Sequence, residues 1–381
     1  MSDYVSPWMD EELRIYREAV ARFVDTQMVP HDARWREEHN VGHEIWRQAG
    51  ALGFLCADIP SEYGGAGGDF RHEVVLYEEL ARRGLTGFGQ GVHSIAAHYL
   101  LNHGTEAQRQ RYLPRLARGE LVGAIAMTEP GAGSDLQAIR TTARRDGDGY
   151  RINGSKTFIS NGQVADFIVV VAKTDPAQGS RGVSLVIVET DEAQGFRRGK
   201  KLDKIGLDAQ DTSELFFDDV WVPAENLLGM QEGKGFSQLM AELPRERLLI
   251  AIGAVITMEK ALETTIEYVK NRKAFGQRLM DFQNSQFKLA DAKAKATVAK
   301  VFINDCIARL LNGALDGTTA AIAKMWATET EWQIVDDCLQ LHGGYGYIND
   351  YPIARIFRDS RISRIYGGST EIMKVIIARS L

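Results

Sequence analysis

The sequence predicts an α+β fold whose three segments run helical, β, helical, and three changes of pattern along the chain carry that prediction. From Asp10 to about Arg118 apolar residues recur at helical spacing, as in Glu73-Val74-Val75-Leu76-Tyr77-Glu78-Glu79-Leu80-Ala81. From about Leu121 to Pro223 short β-branched runs alternate with turn residues. From Gly233 onward glycines thin out and long helical patterns return. With 381 residues, 44% hydrophobic and 25% charged, the chain has a globular composition and the length of two or three domains. We place these at 1–120 (N-terminal helical domain), 121–228 (middle β domain) and 229–381 (C-terminal four-helix-bundle domain).

In the first segment, Tyr63-Gly64-Gly65-Ala66-Gly67-Gly68 breaks the helical pattern. In the second, Phe167-Ile168-Val169-Val170-Val171 and Val183-Ser184-Leu185-Val186-Ile187-Val188 read as strands, and Asp146-Gly147-Asp148-Gly149 as a hairpin turn. No long helix separates them, so an antiparallel sheet or small barrel is expected rather than a parallel α/β sheet. In the third, Phe287, Ala290, Ala294, Val298, Val301 and Phe302 mark one apolar face, with Lys288, Lys293, Lys295 and Lys300 mostly off it. Several helices this long imply a bundle.

Several function classes fall away. Lys and Arg number 45 against 51 Asp and Glu, a net charge of −6 with the signs interspersed, so no basic field gathers nucleic acid or anionic lipid. The longest apolar runs are far shorter than the roughly 18 residues of a membrane span. The amino-terminal stretch 1–12 is acidic and lacks a signal core or Arg-rich presequence, which suggests a cytoplasmic protein, or a mitochondrial matrix one whose transit peptide has been removed. Cys56, Cys306 and Cys338 are widely spaced and read as packed thiols. The eight histidines show no metal-ligand spacing, so no metal is expected, and each reads as a surface or capping residue. Gly149 to Lys156 ends Gly-Ser-Lys where a phosphate loop needs Gly-Lys-Ser/Thr, and Gly131-Ala132-Gly133-Ser134-Asp135-Leu136 lacks the third glycine of a dinucleotide fingerprint.

Five polar and glycine-rich motifs remain: Ala126-Met127-Thr128-Glu129-Pro130-Gly131-Ala132-Gly133-Ser134-Asp135, Lys156-Thr157-Phe158-Ile159-Ser160-Asn161-Gly162, Arg272-Lys273-Ala274-Phe275-Gly276, Gln340-Leu341-His342-Gly343-Gly344-Tyr345-Gly346 and Ile365-Tyr366-Gly367-Gly368-Ser369-Thr370-Glu371. In order and spacing they resemble the acyl-CoA dehydrogenase family of flavoproteins over essentially the whole chain. Glu242-Leu243-Pro244-Arg245-Glu246-Arg247-Leu248 and the sequence around Tyr366 are similar to its long-chain members.

The resemblance implies FAD between the β domain and the C-terminal bundle of a homotetramer, an acyl-CoA substrate, an electron-transfer flavoprotein as acceptor, and a place in fatty acid β-oxidation. It puts Met127, Thr128 and Ser160 at the polar edge of the flavin and Phe158 against its ring. Ser134 falls where flavin and thioester meet. Arg272, Phe275, Gln283, Gln340, Gly343 and Gly344 reach a neighbouring subunit's cofactor, and Ser369 with Glu371 lies near adenosine. Arg247 and Tyr366 join Ser134 on the substrate side. Taken singly these residues have plainer readings: Thr128 to Gly131 as a turn, Arg272 as a helix-end cap, Gly343 as a helix stop.

Dehydrogenating a saturated thioester requires a carboxylate to remove the α proton. Many members of the family carry that glutamate directly after the tyrosine of the last motif, but here Tyr366 is followed by Gly367. A second arrangement in the family takes the base from the helix bearing Leu-x-x-Glu-Arg, where Glu246 stands. Alone, Glu246 would read as an exposed helical glutamate. Burial beside flavin and acyl chain should raise its pKa, while the N–H of Gly367 remains able to donate to the thioester carbonyl. The alternatives are an acyl-CoA oxidase or flavin monooxygenase of the same fold, and a catalytically inactive acyl-CoA-binding relative. Room left by Gly367, and the small residues Gly89, Gly91, Ser94, Ala96 and Ala97, suggest long or methyl-branched substrates.

Overall fold

The computed structural model describes residues 4–381; the first three residues of the acidic amino-terminal stretch lie outside them. Helices α1 (Glu11–Phe23), α2 (Asp32–Glu38), α3 (Glu44–Ala51), α4 (Phe70–Arg82), α5 (Gln90–His103) and α6 (Glu106–Ala117) form the first part. The starts of α1, α4 and α6 are set by side chains that satisfy the free N–H groups of a first turn: Asp10 accepts from the Leu13 N–H, and Asp69 with His72, and Thr105 with Gln108, make capping boxes. The glycine-rich break forms a tight turn in which Gly64 has φ +84° and a Cβ on Gly65 would lie 2.0 Å from the Ile59 carbonyl oxygen. Helix α5 buries residues on several sides, including His93, Ala96, Ala97, His98, Tyr99 and Leu100.

Strands β1 (Gly123–Ala126), β2 (Thr142–Asp146), β3 (Gly149–Ser160), β4 (Phe167–Lys173), β5 (Val183–Glu189), β6 (Phe196–Lys201) and β7 (Thr212–Pro223) form one sheet, ordered β1-β4-β2-β3-β7-β6 with β5 on β4. The hairpin read at Asp146-Gly147-Asp148-Gly149 joins β2 to β3, with Asp146 opposite Gly149. The purely antiparallel expectation needs correcting, because β1 and β2 both run parallel to β4. The stretch 127–166 between β1 and β4 is long enough for the crossover that parallel pairing requires. Strand β4 is apolar on both faces because both are covered: Phe167, Val169 and Val171 meet α5 and α6, while Ile168, Val170 and Ala172 fill the core of the β layer.

Three long helices, α7 (Gly235–Asn271), α8 (Gln283–Leu311) and α9 (Gly317–His342), dominate the last part with α10 (Pro352–Ser360) and α11 (Thr370–Ala378); a two-residue hairpin of β8 (Lys273–Ala274) and β9 (Gln277–Arg278) links α7 to α8. The side of α8 that packs into the bundle carries Leu289, Ala292, Ala296, Ala299 and Ile303. Of the apolar face read from Phe287, Ala290, Ala294, Val298, Val301 and Phe302, only Phe302 packs against the bundle core; the others lie on the other side and are exposed, Phe287 and Val298 at 60% each. Small alanines permit the close approach inside the bundle, whereas Phe287, Val298 and Val301 of the second face are left exposed by the described residues.

All three cysteines are buried. The expectation that every histidine is a surface or capping residue fails for His93, His98 and His342, which are buried, whereas the buried His72 does cap α4. His93 accepts from the Gly123 N–H and faces the Leu116 carbonyl, and His98 pairs with Asp58, so hydrogen bonds inside the packed layers satisfy these rings. Among the described residues no group of His, Cys, Asp and Glu is arranged to hold a metal ion, and no helix is long and apolar enough to cross a membrane.

Candidate active site

Glu246 projects from α7 toward α5 and is 8% exposed. The hydroxyl of Tyr99, itself fully buried, donates to Glu246 Oε1 at 2.9 Å. Burial pushes the Glu246 carboxyl up to about 7, with the neighbouring Glu242 carboxylate adding to the rise while the Tyr99 hydrogen bond, Arg247 and Arg245 oppose it. Glu242, one helical turn earlier, accepts from Asn102 Nδ2 at 3.0 Å and His103 Nε2 at 2.9 Å. A buried carboxyl that titrates near neutrality has the proton affinity of a general base.

The segment Tyr366-Gly367-Gly368 lies against the same helix. Arg247 Nε donates to the Gly367 carbonyl at 3.3 Å, and the buried Lys324 Nζ donates to the Gly368 carbonyl at 2.9 Å. Burial lowers the Lys324 ammonium to about 8. Gly367 has φ +65°, and a Cβ placed on it would meet Ile250 Cδ1 at 2.3 Å. Ile250 follows Glu246 by one turn on one face of α7, so the vacated position and the glutamate border the same space. The Gly367 N–H has no hydrogen-bond partner among the described residues. Tyr366 is 41% exposed. Ser369 is the N-cap of α11, and Glu371 is exposed in its first turn.

The β layer contributes a second set of residues. Met127 and Thr128 follow β1, half-buried, and Met127 packs in the apolar cluster that contains Leu100 of α5 and Leu239 of α7. Their loop is pinned from β3: Lys156 Nζ donates to the Met127 carbonyl at 3.0 Å and to Glu129 Oε1 at 2.8 Å, and the Thr157 N–H donates to the Thr128 carbonyl at 2.9 Å. A register shift between Lys156 and Ile159 interrupts the pairing of β3 with β7 and turns Phe158 outward, with φ +59° and 66% exposure. Ser160 is half-buried beyond it, and Ser134 lies exposed in the loop after Met127 and Thr128.

A third set lies elsewhere. Arg272 caps the C-terminus of α7, and its guanidinium sits over the Tyr345 ring at 5.4 Å. Arg272, Gln340, Gly343, Gly344 and Tyr345 border a cavity of about 530 Å³. Gly343 ends α9 with φ +60°, and a Cβ on it or on Gly344 would meet nothing within 4 Å. Phe275, in the β8–β9 turn, is 96% exposed, and Gln283 opens α8. Glu246 and Arg272 are 26 positions apart on the α7 numbering, about 39 Å at 1.5 Å per residue. The chain therefore brings Glu246, Arg247, Tyr366 and Gly367 together but holds the Arg272 group far from them.

Sequence reasoning missed Tyr99, Glu242, His103, Lys156 and Lys324. Glu242 and Glu246 did leave a signal, two acids at i and i+4 on α7, which repel unless a fold uses them. Tyr99 and Lys324 left none, because their partners are far away in the chain.

Known proteins were compared with the chain. The family descriptions "Acyl-CoA dehydrogenase, N-terminal domain", "middle domain" and "C-terminal domain" match residues 10–120, 124–220 and 233–381. The chain is 46% identical over 370 residues to the long-chain specific acyl-CoA dehydrogenase, mitochondrial, of Sus scrofa, covering 96% of this chain and 86% of that protein. It is 38% identical to the isovaleryl-CoA dehydrogenase, mitochondrial, of Pongo abelii, covering 98% and 89%. The crystal structure of an acyl-CoA dehydrogenase from Geobacillus kaustophilus superposes with a TM-score of 0.96 at 45% identity, covering 99% of each chain.

Proposed function

This chain belongs to the acyl-CoA dehydrogenase family, and on that premise we propose that it converts an acyl-CoA thioester to the trans-2-enoyl-CoA with Glu246 as the α-proton base. The observation that carries this reading is the buried Glu246 carboxyl, raised to about 7 and set beside a Gly367 that has no side chain to compete for the role. FAD, when bound, supplies the hydride-accepting N5. The chain's groups fit it chemically: Phe158 offers an exposed aromatic face, Thr128 in the loop that Met127 begins and Ser160 at the end of β3 offer hydroxyls, and the open backbone at Gly343 and Gly344 beside Arg272 suits a pyrophosphate.

With Oε1 engaged by Tyr99, Glu246 takes the α proton on Oε2. The free N–H of Gly367 donates to the thioester carbonyl as negative charge develops there, and Arg247 holds the Gly367 carbonyl in place. Tyr366 and Ser134 border the substrate. Separation of the Arg272 group from Glu246 and the exposed stripe on α8 support a shared site, in which Arg272, Phe275, Gln283, Gln340, Gly343 and Gly344 serve the cofactor of a second copy and Ser369 with Glu371 lies near adenosine. A homotetramer with an electron-transfer flavoprotein as acceptor, acting in fatty acid β-oxidation, fits this arrangement. The mitochondrial relatives fit a cytoplasmic or matrix location.

On substrate size, a Cβ on Gly89 would run into Asn161, and Gly123 packs on Ala96, so these small residues serve packing with the β layer. Gly91, partly exposed, faces the Tyr77 ring of α4, which a Cβ would meet at 3.7 Å. A Cβ on Gly367 would meet Ile250 as well, so the expectation of long or methyl-branched acyl groups rests on the likeness to the long-chain specific and isovaleryl-CoA relatives. Anaerobic addition of straight and branched acyl-CoA thioesters should bleach the flavin absorbance with long and branched members and spare it with butyryl-CoA. A profile that peaks at four carbons would refute the size assignment, and no bleaching by any thioester would refute the dehydrogenase reading.

A further inference from the structure

Four groups carrying charge or a titratable proton face Glu246: Tyr99 from α5, and Glu242, Arg245 and Arg247 from its own helix. Two of them are engaged elsewhere. Arg245 is held by Asp58 and Glu73, and Arg247 by the Gly367 carbonyl. The other two come as a set, because Tyr99, Asn102 and His103 occupy one turn of α5 opposite one turn of α7. Tyr99 spends its hydroxyl on Glu246, its ring lies 6.2 Å from that of His103, and Asn102 and His103 both hold Glu242 Oε1.

We propose that Tyr99 and Glu242 are opposed positioning residues for the base: Tyr99 fixes Oε1 and favours the carboxylate, Glu242 disfavours it, and Asn102 with His103 keeps Glu242 in place to do so. This rests on the reading of Glu246 as the base. The physical reason for the opposition is general. A hydroxyl that donates to a carboxylate stabilises its charged form, and a second carboxylate one helical turn away destabilises it. The two effects act on one group in a site with little water to screen them, so the working proton affinity of Glu246 is their balance rather than the result of burial alone. Oε2 stays open toward the substrate because Oε1 is tied back.

The test is the pH profile of kcat/KM for a long-chain acyl-CoA, whose acid limb reports the base in the free holoenzyme. Tyr99→Phe, which keeps the ring, should move that limb upward by about one pH unit, and Glu242→Gln, which keeps the shape, should move it downward by about one unit. Movement in opposite directions is the signature, since a general loosening of the α5–α7 contact would lower the rate without moving the limb in two senses. Flavin content and melting temperature establish that each variant is the folded holoenzyme. If Tyr99→Phe does not accumulate as such, the downward shift in Glu242→Gln decides alone. Limbs that stay put, or move together, overturn the proposal. An active Glu246→Gln would instead overturn the base assignment, whereas an inactive one with unmoved limbs in the other two variants would sink only this inference.

Discussion

Replacing Glu246 by Gln should make the protein more stable at alkaline pH. The amide keeps an oxygen to accept from Tyr99 but never ionises. In the wild-type chain the carboxyl is raised from 4.5 to about 7 by burial, so folding favours its protonated form. Such a group contributes stability that is fully present below pH 4.5 and is lost as pH rises through about 7. Relative to the non-titrating amide, the wild type is therefore penalised by about 0.8 kcal/mol at pH 5 and about 3 kcal/mol at pH 8, at 1.36 kcal/mol per unit. With an unfolding entropy of about 2.1 cal/mol/K per residue, 381 residues give about 0.8 kcal/mol/K, and the pH 8 difference amounts to about 4 °C. Melting the wild-type and Glu246→Gln holoenzymes at pH 5 and pH 8 checks this. A gap between them that grows with pH bears out the reasoning; a gap of constant size, or a variant less stable at pH 8, refutes it.

Two further predictions follow from the geometry. Glu246→Gly with Gly367→Glu should regain part of the turnover that Glu246→Gly loses, but only weakly, because residue 367 has φ +65° and its Cβ would press on Ile250 Cδ1. The left-handed backbone alone costs about 1 kcal/mol. Adding Ile250→Val should raise the recovered rate, and no gain over Glu246→Gly in either form would show that the two positions do not address one carbon. Arg272→Ala should weaken FAD retention by roughly 10- to 100-fold, the worth of a charge-assisted hydrogen bond, and should loosen the oligomer. A flavin-replete monomer on sedimentation would contradict the shared site.

Much of the fold was legible because its signals are local. The strand Phe167 to Val171 is a continuous apolar run, Val183 to Val188 is broken only by Ser184, and the structure buries both faces of each. The parallel pairing of β1 with β4 was not legible, since strand direction depends on a long connection rather than on either strand's composition. The stripe on α8 was found, but nothing in a helical period says whether an apolar face meets its own bundle or lies on the surface. Here Leu289, Ala292, Ala296, Ala299 and Ile303 face the bundle, while Phe287, Val298 and Val301 lie exposed on the other side. At the site, Glu246 and the vacated Gly367 could be read from a motif and a departure from it. Tyr99 and Lys324 could not, because each acts on a residue more than forty positions away through a single hydrogen bond.

The central claim is that Glu246, rather than any group at position 367, removes the α proton. The most direct measurement is the rate of anaerobic flavin bleaching in a single turnover of the holoenzyme mixed with a long-chain acyl-CoA, wild type against Glu246→Gln. An amide cannot accept the proton, so the variant should bind the thioester, keep its flavin and bleach roughly 10² to 10⁴ times more slowly. Bleaching within about tenfold of the wild type, with flavin and substrate equally bound, would place the base on another residue and contradict the account.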